Sequence, residues 1–436
     1  MHGNRRNLAD TLDLLGMAEW IGTGEAVAAV RDFGRAIDLL RTLDLPHQLS
    51  SCLASRCGAA GAATFEPVGT AMWTPAACLC DAEEAIQLAE SADWPAGQAY
   101  PAFLIGQILT ASGAFGRAKA QLDGALALAT AIDHRQWLTG TRCALGQLHV
   151  LLLTPAAARG HLEAAVTLAR DLNSAWWLAY ASAYLALAHL QSDDPSGAEA
   201  ILDAVQPLDA LARAGTRTLE ERRLAWSWSE VRLAQGRPAE ALALADRLLA
   251  TAPGSGPIPA LLTVRGEALL ALGREGDAEQ ALGDAVRGAL LRHERPRLGR
   301  IHAARAILYC AQGRLDEAGR ADDAARAVAE ELAATLPVGE LRDAYRRRAA
   351  AHSPADQARA VPGGAAPRRG DSPLALTMRE AEVLRLLAAG RSNRQIAQAL
   401  FLSSRTVQRH VANLYLKIGA HNKADATAYA LRHRLA

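Results

Sequence analysis

The 436-residue sequence predicts an all-α protein, a long series of helical repeats followed by a small separate helical unit at the C-terminus. Three observations carry that reading. Small residues return about every forty positions through the middle of the chain, and the last sixty residues hold two helix-start signatures and one helix with two chemically different faces. Charge is divided along the same line. From Thr377 to Ala436 ten Lys or Arg stand against three acids, a net of +7, whereas the whole chain carries +1, which leaves −6 for residues 1–376. A basic module on an acidic body is the footprint expected when one part meets phosphates and the rest must not.

At 436 residues the chain exceeds the roughly 250 to 300 residues at which single cores stop growing, so two or more units are expected. Half of the residues are apolar and few are aromatic, and no run reaches the roughly 20 apolar residues of a membrane helix. Met1 to Gly16 has two arginines but places Asp10 and Asp13 where a signal peptide would be apolar. These features predict a cytoplasmic protein with no membrane partner. Asn7 to Leu43 predicts one or two helices, and no register is set for residues 1–75.

The repeats are clearest over residues 97–335. Ala118, Ala158, Ala198, Ala241, Ala278 and Ala318 recur at spacings of 40, 40, 43, 37 and 40 residues. Twelve residues before each stands a small residue: Gly106, Gly146, Ala186, Ser229, Gly266 and Ala306. Four after come Leu122, Leu162, Leu202, Ala245, Leu282 and Asp322, and the polar turns between include Gly236-Arg237-Pro238 and Gly273-Arg274-Glu275. The pattern predicts paired antiparallel helices that approach closely through the small residues and bury the following Leu and Ala against the next pair. A further, decayed unit is expected around Cys78, Ala82 and Ala85. The six cysteines (52, 57, 78, 80, 143, 310) form no C-x-x-C and read as small core residues, with no metal site or disulfide expected. The tryptophans read as packing between helices, and a sharper alternative has Trp137, Trp176 and Trp177 lining a concave groove that grips a ligand.

Residues 351–373 change character. Pro354, Pro362, Gly363, Gly364, Pro367, Gly370 and Pro373 interrupt any helix, so this stretch predicts a linker whose loose coil would span roughly 25 Å. Residues 1–350 are thus assigned to the repeats and 374–436 to the C-terminal unit.

In that unit Thr377-x-x-Glu380 is a capping box opening a helix that buries Val383, Leu384 and Leu387 and stops at Gly390. Ser392-x-x-Gln395 opens a second, short helix burying Ile396, Ala397 and Leu400. After a tight turn, Ser403 or Ser404 caps a third helix running to about Ile418. On it Val407, Val411, Leu414 and Ile418 form a core stripe, while Arg405, Gln408, Arg409 and Ala412 occupy another side. Long donors around a small alanine suit a helix entering a DNA major groove. His410, beside the core stripe, reads as packed and not as a metal ligand.

At these residues the segment resembles the LuxR-type (NarL-like) helix-turn-helix, a four-helix DNA-binding domain of bacterial transcription regulators. The resemblance runs from Leu376 to about Leu435 and includes Leu376-Thr377-x-Arg379-Glu380-x-Glu382-Val383-Leu384, Gly390-x-Ser392-Asn393-x-x-Ile396-Ala397, Thr406-Val407, His410, Asn413, Lys417 and Gly419. It implies base contacts from Gln408, Arg409 and Ala412 on double-stranded DNA, and phosphate contacts from Asn393, Arg405, Thr406 and Lys417. It also implies a homodimer joined through the last helix, about Asn422 to Arg432, with Ala424, Ala428 and Leu431 at the seam. Two positions depart from the family's usual pattern: Gln408, where a basic residue is common, and Lys423, where an Arg is common. Gln pairs bidentately with adenine, so an altered base preference is expected.

The repeat pattern resembles the tetratricopeptide repeat, whose usual period is about 34; a period near forty implies longer helices. Longer repeats of this kind ending in a LuxR-type domain are similar to the C-terminal half of the large ATP-binding LuxR regulators, the MalT-like group. The ATPase of that group is not expected here. No Gly-x-x-x-x-Gly-Lys-Ser/Thr occurs, and the only lysines are Lys119, Lys417 and Lys423. No Ser/His/Asp, paired-carboxylate or metal-spaced constellation stands out, so neither enzyme chemistry nor a cofactor is expected. The reading is a transcription regulator whose superhelix receives an unidentified protein or small-molecule effector. Two alternatives stay open: a protein-binding scaffold without sequence-specific DNA readout, and a DNA-binding subunit acting with a separate ATPase.

Overall fold

The structure is a computed structural model that describes residues 2–61, 73–215, 218–252, 256–351, 378–400 and 423–432, with Val407, Val411, Leu414 and Ala420. The chain divides into two compact units, residues 1–362 and 363–436. Every regular element among the described residues is helical, and no helix among them is long and apolar enough to cross a membrane. The expected linker lies outside the described residues except for Ala351, which ends a helix.

The first unit is a run of helix pairs. Its clearest stretch comprises α5 (Pro95–Ser112) with α6 (Phe115–Ala131), α7 (Arg135–Leu151) with α8 (Pro155–Asp171), and α9 (Ala175–Leu190) with α10 (Pro195–Asp203). It continues with a short α11 (Leu208–Ala214), then α12 (Leu219–Ala234) with α13 (Pro238–Ala250), α14 (Pro259–Ala271) with α15 (Glu275–Leu291), and α16 (Arg295–Ala311) with α17 (Leu315–Ala334). The final α18 spans Glu340–Ala351. Each small residue of the forty-residue pattern falls on the first helix of a pair and each alanine on the second, and α11 is the inserted element behind the one spacing of 43.

The period follows from the turns. A 17-residue helix and a three-residue turn, repeated, fill forty residues, as from Phe115 to Thr154. Most of the turns place one residue in the left-handed region. Gly takes that place at 113, 236, 273 and 313, Asp or Asn at 93, 133, 173 and 193, and Leu153 and His293 elsewhere. The following amide then returns to a carbonyl five residues back, as Thr154 N does to His149 O at 2.9 Å and Arg274 N to Leu269 O at 2.9 Å. Proline often comes next, at 95, 155, 195 and 238, where a missing N–H costs nothing and the helix cannot extend backwards.

Packing within a pair is set by backbone approach. A β-carbon on Gly106 would lie 2.3 Å from Leu122, on Gly146 2.3 Å from Leu162, and on Gly266 2.6 Å from Leu282. The glycines therefore receive the leucine sixteen residues later, a contact one turn beyond the alanine that marks the repeat. First helices are buried on nearly all sides, as in α5, where residues 101–111 are all buried. Second helices bury one stripe, such as Ala158, Leu162, Ala165 and Ala169. Asp322, in the place of a leucine, is buried too and pairs with Arg326 at 2.7 Å.

Upstream, α3 (Pro46–Ala60) and α4 (Pro75–Ser91) form the decayed unit, with Cys78, Ala82 and Ala85 buried. Before them α1 (His2–Met17) leads through a π-helical turn, Ala18–Thr23, into α2 (Ala26–Leu40). Trp20 from that turn is buried, under Gly58 and edge-on to Trp176 at 6.4 Å. Four cysteines are buried as expected, while Cys80 and Cys310 are exposed; all six are free. The tryptophans pack against neighbouring helices, with Trp137 and Trp176 half-buried. Trp137 stacks on Tyr100 at 4.3 Å and on His134 at 5.4 Å, Trp177 is buried against Phe103 and Tyr180, and the Arg223 guanidinium lies 5.1 Å over Trp176.

The pairs curve until the series meets itself. Thr335 Oγ1 donates to Gly113 O at 3.1 Å across 222 residues of sequence and accepts from Phe115 N at 3.2 Å. Phe115 meets Tyr345 edge-on at 5.8 Å. Gly116 belongs to the same seam, because a β-carbon there would sit 2.4 Å from Thr335 O. Arg300 ties three first helices together, binding Glu230 at 2.8 Å and Glu267 at 2.6 Å.

His149 and His161 stack at 5.4 Å between α7 and α8, and burial pushes the His149 pKa down to about 4 and lowers that of His161. The unfolded chain takes up these protons near the ordinary value of about 6.5, so stability is full above that pH and is lost as pH falls from about 6.5 towards 4. Denaturant titrations from pH 7 to 4.5 should show that loss, and His149→Asn should reduce it; equal slopes for both proteins would contradict the assignment. For the pair contact, Gly146→Ala should lose about 1 to 3 kcal/mol through overpacking, whereas Gly160→Ala, exposed in α8 with nothing within 4 Å of the new β-carbon, should gain about 0.5 to 1 kcal/mol. Thermal unfolding shifts of the same sign would refute the packing argument.

Candidate nucleic-acid interface

The second unit begins its described part with α19 (Met378–Ala388), which buries Val383, Leu384 and Leu387. Thr377, and with it the first expected capping box, lies outside the described residues. The stop is as expected: Gly390 adopts φ +85°, and Arg391 N returns to Leu386 O at 3.0 Å. The second capping box is present. Ser392 Oγ accepts from Gln395 N at 3.3 Å, Gln395 Oε1 accepts from Ser392 N at 2.9 Å, and α20 (Asn393–Ala399) follows. Ile396 and Ala397 are buried and Leu400 half-buried, so the short helix is held by its apolar side.

Of the expected recognition helix, Val407, Val411 and Leu414 are described; all three are helical and buried. They are three of the four residues assigned to the core stripe. The residues assigned to DNA from that helix, Arg405, Thr406, Gln408, Arg409, Ala412 and Lys417, lie outside the described residues, as do His410 and Ile418. Asn393 is described, half-buried at the first position of α20. The last helix, α21, spans Lys423–Arg432 and buries Ala426, Tyr429 and Ala430 in the unit's core. Positions 424, 428 and 431, expected at the dimer seam, lie on this helix, and their side chains fall outside the described ones.

Two residues of this unit escaped the sequence reading. Tyr429 is one, although the Ala426, Tyr429, Ala430 spacing of a buried helical stripe was there to be read. The other is the role of Lys423, weighed only as a replacement for Arg. Its Nζ donates to Gly390 O and Arg391 O, both at 2.8 Å. The pair of acceptors closes the turn between α19 and α20, and no local sequence pattern signals it.

Residues 374–430 match the family described as bacterial regulatory proteins, luxR family. Over 69 residues the chain is 42% identical to the Fimbriae Z protein of Salmonella typhimurium, an alignment covering 16% of this chain and 33% of that protein. Over 156 residues it is 31% identical to the probable transcriptional regulatory protein NarL of Mycobacterium tuberculosis, covering 36% of this chain and 54% of that protein. The chain thus spans from a third to about half of these relatives' length. Among solved structures, the Rap conjugation gene regulator of the plasmid pLS20, in complex with the Phr* peptide, shares the fold at a TM-score of 0.51 and 14% identity, over 77% of this chain and 99% of that one. The chain joins a tetratricopeptide-like helical-repeat body to a C-terminal LuxR-type helix-turn-helix domain.

Proposed function

We propose that the chain is a transcription regulator, acting in the cytoplasm, whose C-terminal unit binds promoter DNA as a homodimer while the repeat body receives an effector. The observation that carries this is the overlap of the LuxR-type match over residues 374–430 with a C-terminal segment, residues 377–436, of net charge +7 on an otherwise acidic chain. In this reading Gln408, Arg409 and Ala412 read base edges in the major groove, and Asn393, Arg405, Thr406 and Lys417 fix the register through phosphates. Ala424, Ala428 and Leu431 join two copies, which sets two recognition helices on half-sites about one DNA turn apart, or multiples of it. The work is binding and not catalysis. The effector is a protein or small ligand, and because the pLS20 Rap regulator is a peptide complex, short peptides are the first class to screen.

Gel-shift titration over salt separates this reading from a protein-binding scaffold. Log affinity should fall linearly with log salt, and a flat dependence would sink the DNA reading. Arg409→Ala should cost about 1 to 3 kcal/mol on the preferred sequence and relax base preference, whereas Lys417→Ala should weaken all sequences alike. Equal losses from Arg409→Ala on preferred and random DNA would contradict its assignment to bases.

A further inference from the structure

In the turn joining α19 to α20, each backbone amide and carbonyl of residues 390–392 has a hydrogen-bond partner. Gly390 N donates to Leu387 O at 3.0 Å, Arg391 N to Leu386 O at 3.0 Å and Ser392 N to Gln395 Oε1 at 2.9 Å, while Ser392 O accepts from Ile396 N at 2.9 Å. These partners are all local. The carbonyls of Gly390 and Arg391 both accept from one distant group, the Lys423 ammonium, thirty-three residues on from Gly390. An ammonium has three protons, and two of Lys423's are given to backbone. Charge-assisted bonds of this length are roughly twice as strong as neutral ones.

We infer that Lys423 is a positioning residue: it clamps the α19–α20 turn from the first residue of the last helix, and so couples the helix expected to dimerise to the helix that carries Asn393. This rests on the DNA-binding reading for its consequence, though not for its geometry. The turn sets where α20 begins, and the Ser392 capping box fixes the direction in which it leaves. A shift of α21 reaches the turn through Lys423, which holds both acceptors, as well as through the core the helices share. The rival role for an exposed lysine in a basic unit is a direct phosphate contact, and the two roles differ in what they do to salt dependence.

The test compares full-length wild type, Lys423→Met and Lys423→Arg in two measurements: DNA affinity over a salt series, and amide hydrogen exchange by mass spectrometry. Lys423→Met should lower affinity about tenfold at every salt concentration, the scale of losing the two solvent-exposed hydrogen bonds that Lys423 makes, with the salt slope unchanged. Exchange should quicken in peptides covering 390–397 and stay unchanged elsewhere in the unit, and Lys423→Arg should restore both. A salt slope smaller by about one with unchanged exchange would make Lys423 a phosphate contact and overturn the inference. So would exchange quickened throughout residues 378–432, or no change in either measurement. If the wild type itself bound no DNA, the functional reading would fail while the exchange arm still decided the clamp.

Discussion

The close approach of two helix backbones, repeated every forty residues, is the constraint from which the larger unit is built. Gly106, Gly146 and Gly266 leave no room for a β-carbon against Leu122, Leu162 and Leu282. That contact sets how closely the two helices of these three pairs approach. The three-residue turns fix the length of a pair, since the left-handed residue and the proline that often follows stop each helix at the same register. With pair geometry and length both repeated, curvature accumulates regularly, and residues 222 apart in sequence arrive in hydrogen-bonding distance at Gly113 and Thr335.

The smaller unit is governed by a different economy of backbone groups. Its helices are too short to stand alone, so the turn between α19 and α20 depends on partners for every amide and carbonyl. Gly390 supplies the left-handed step, Ser392 and Gln395 satisfy each other, and Lys423 supplies the two bonds to the carbonyls of Gly390 and Arg391. A buried stripe of Val407, Val411 and Leu414 then seats the third helix in the same core as Ile396 and Tyr429.

Much of this was legible because it is local or periodic. Small residues at a forty-residue period mark helix pairs directly, and Ser392-x-x-Gln395 names its own helix start. The seam between Phe115 and Tyr345 was not legible, because neither residue breaks its local helical pattern and their meeting is the sum of many small rotations. Trp20 was equally opaque: a π-helical turn carries no periodic signature, and only the folded chain shows the ring capped by Gly58. Asp322 stands where most of the repeats carry a leucine, and nothing in its spacing shows that it is buried with Arg326 as its partner. At the candidate interface the core stripe was readable from spacing, while Lys423 was not, since a lysine that serves backbone carbonyls is indistinguishable in sequence from one that serves solvent.

On the proposed reading, the basic unit is the output of a chain whose body offers a curved array of buried first helices as the frame for an effector. The central claim is that this output reads sequence as a two-fold pair. The most direct measurement is selection of fragments bound by the full-length protein from the genome that encodes it, followed by sequencing. The account predicts enriched fragments sharing a two-fold symmetric motif, with half-sites about one helical turn apart or a multiple of it; fragments enriched without a common motif, or no enrichment over input, would contradict it.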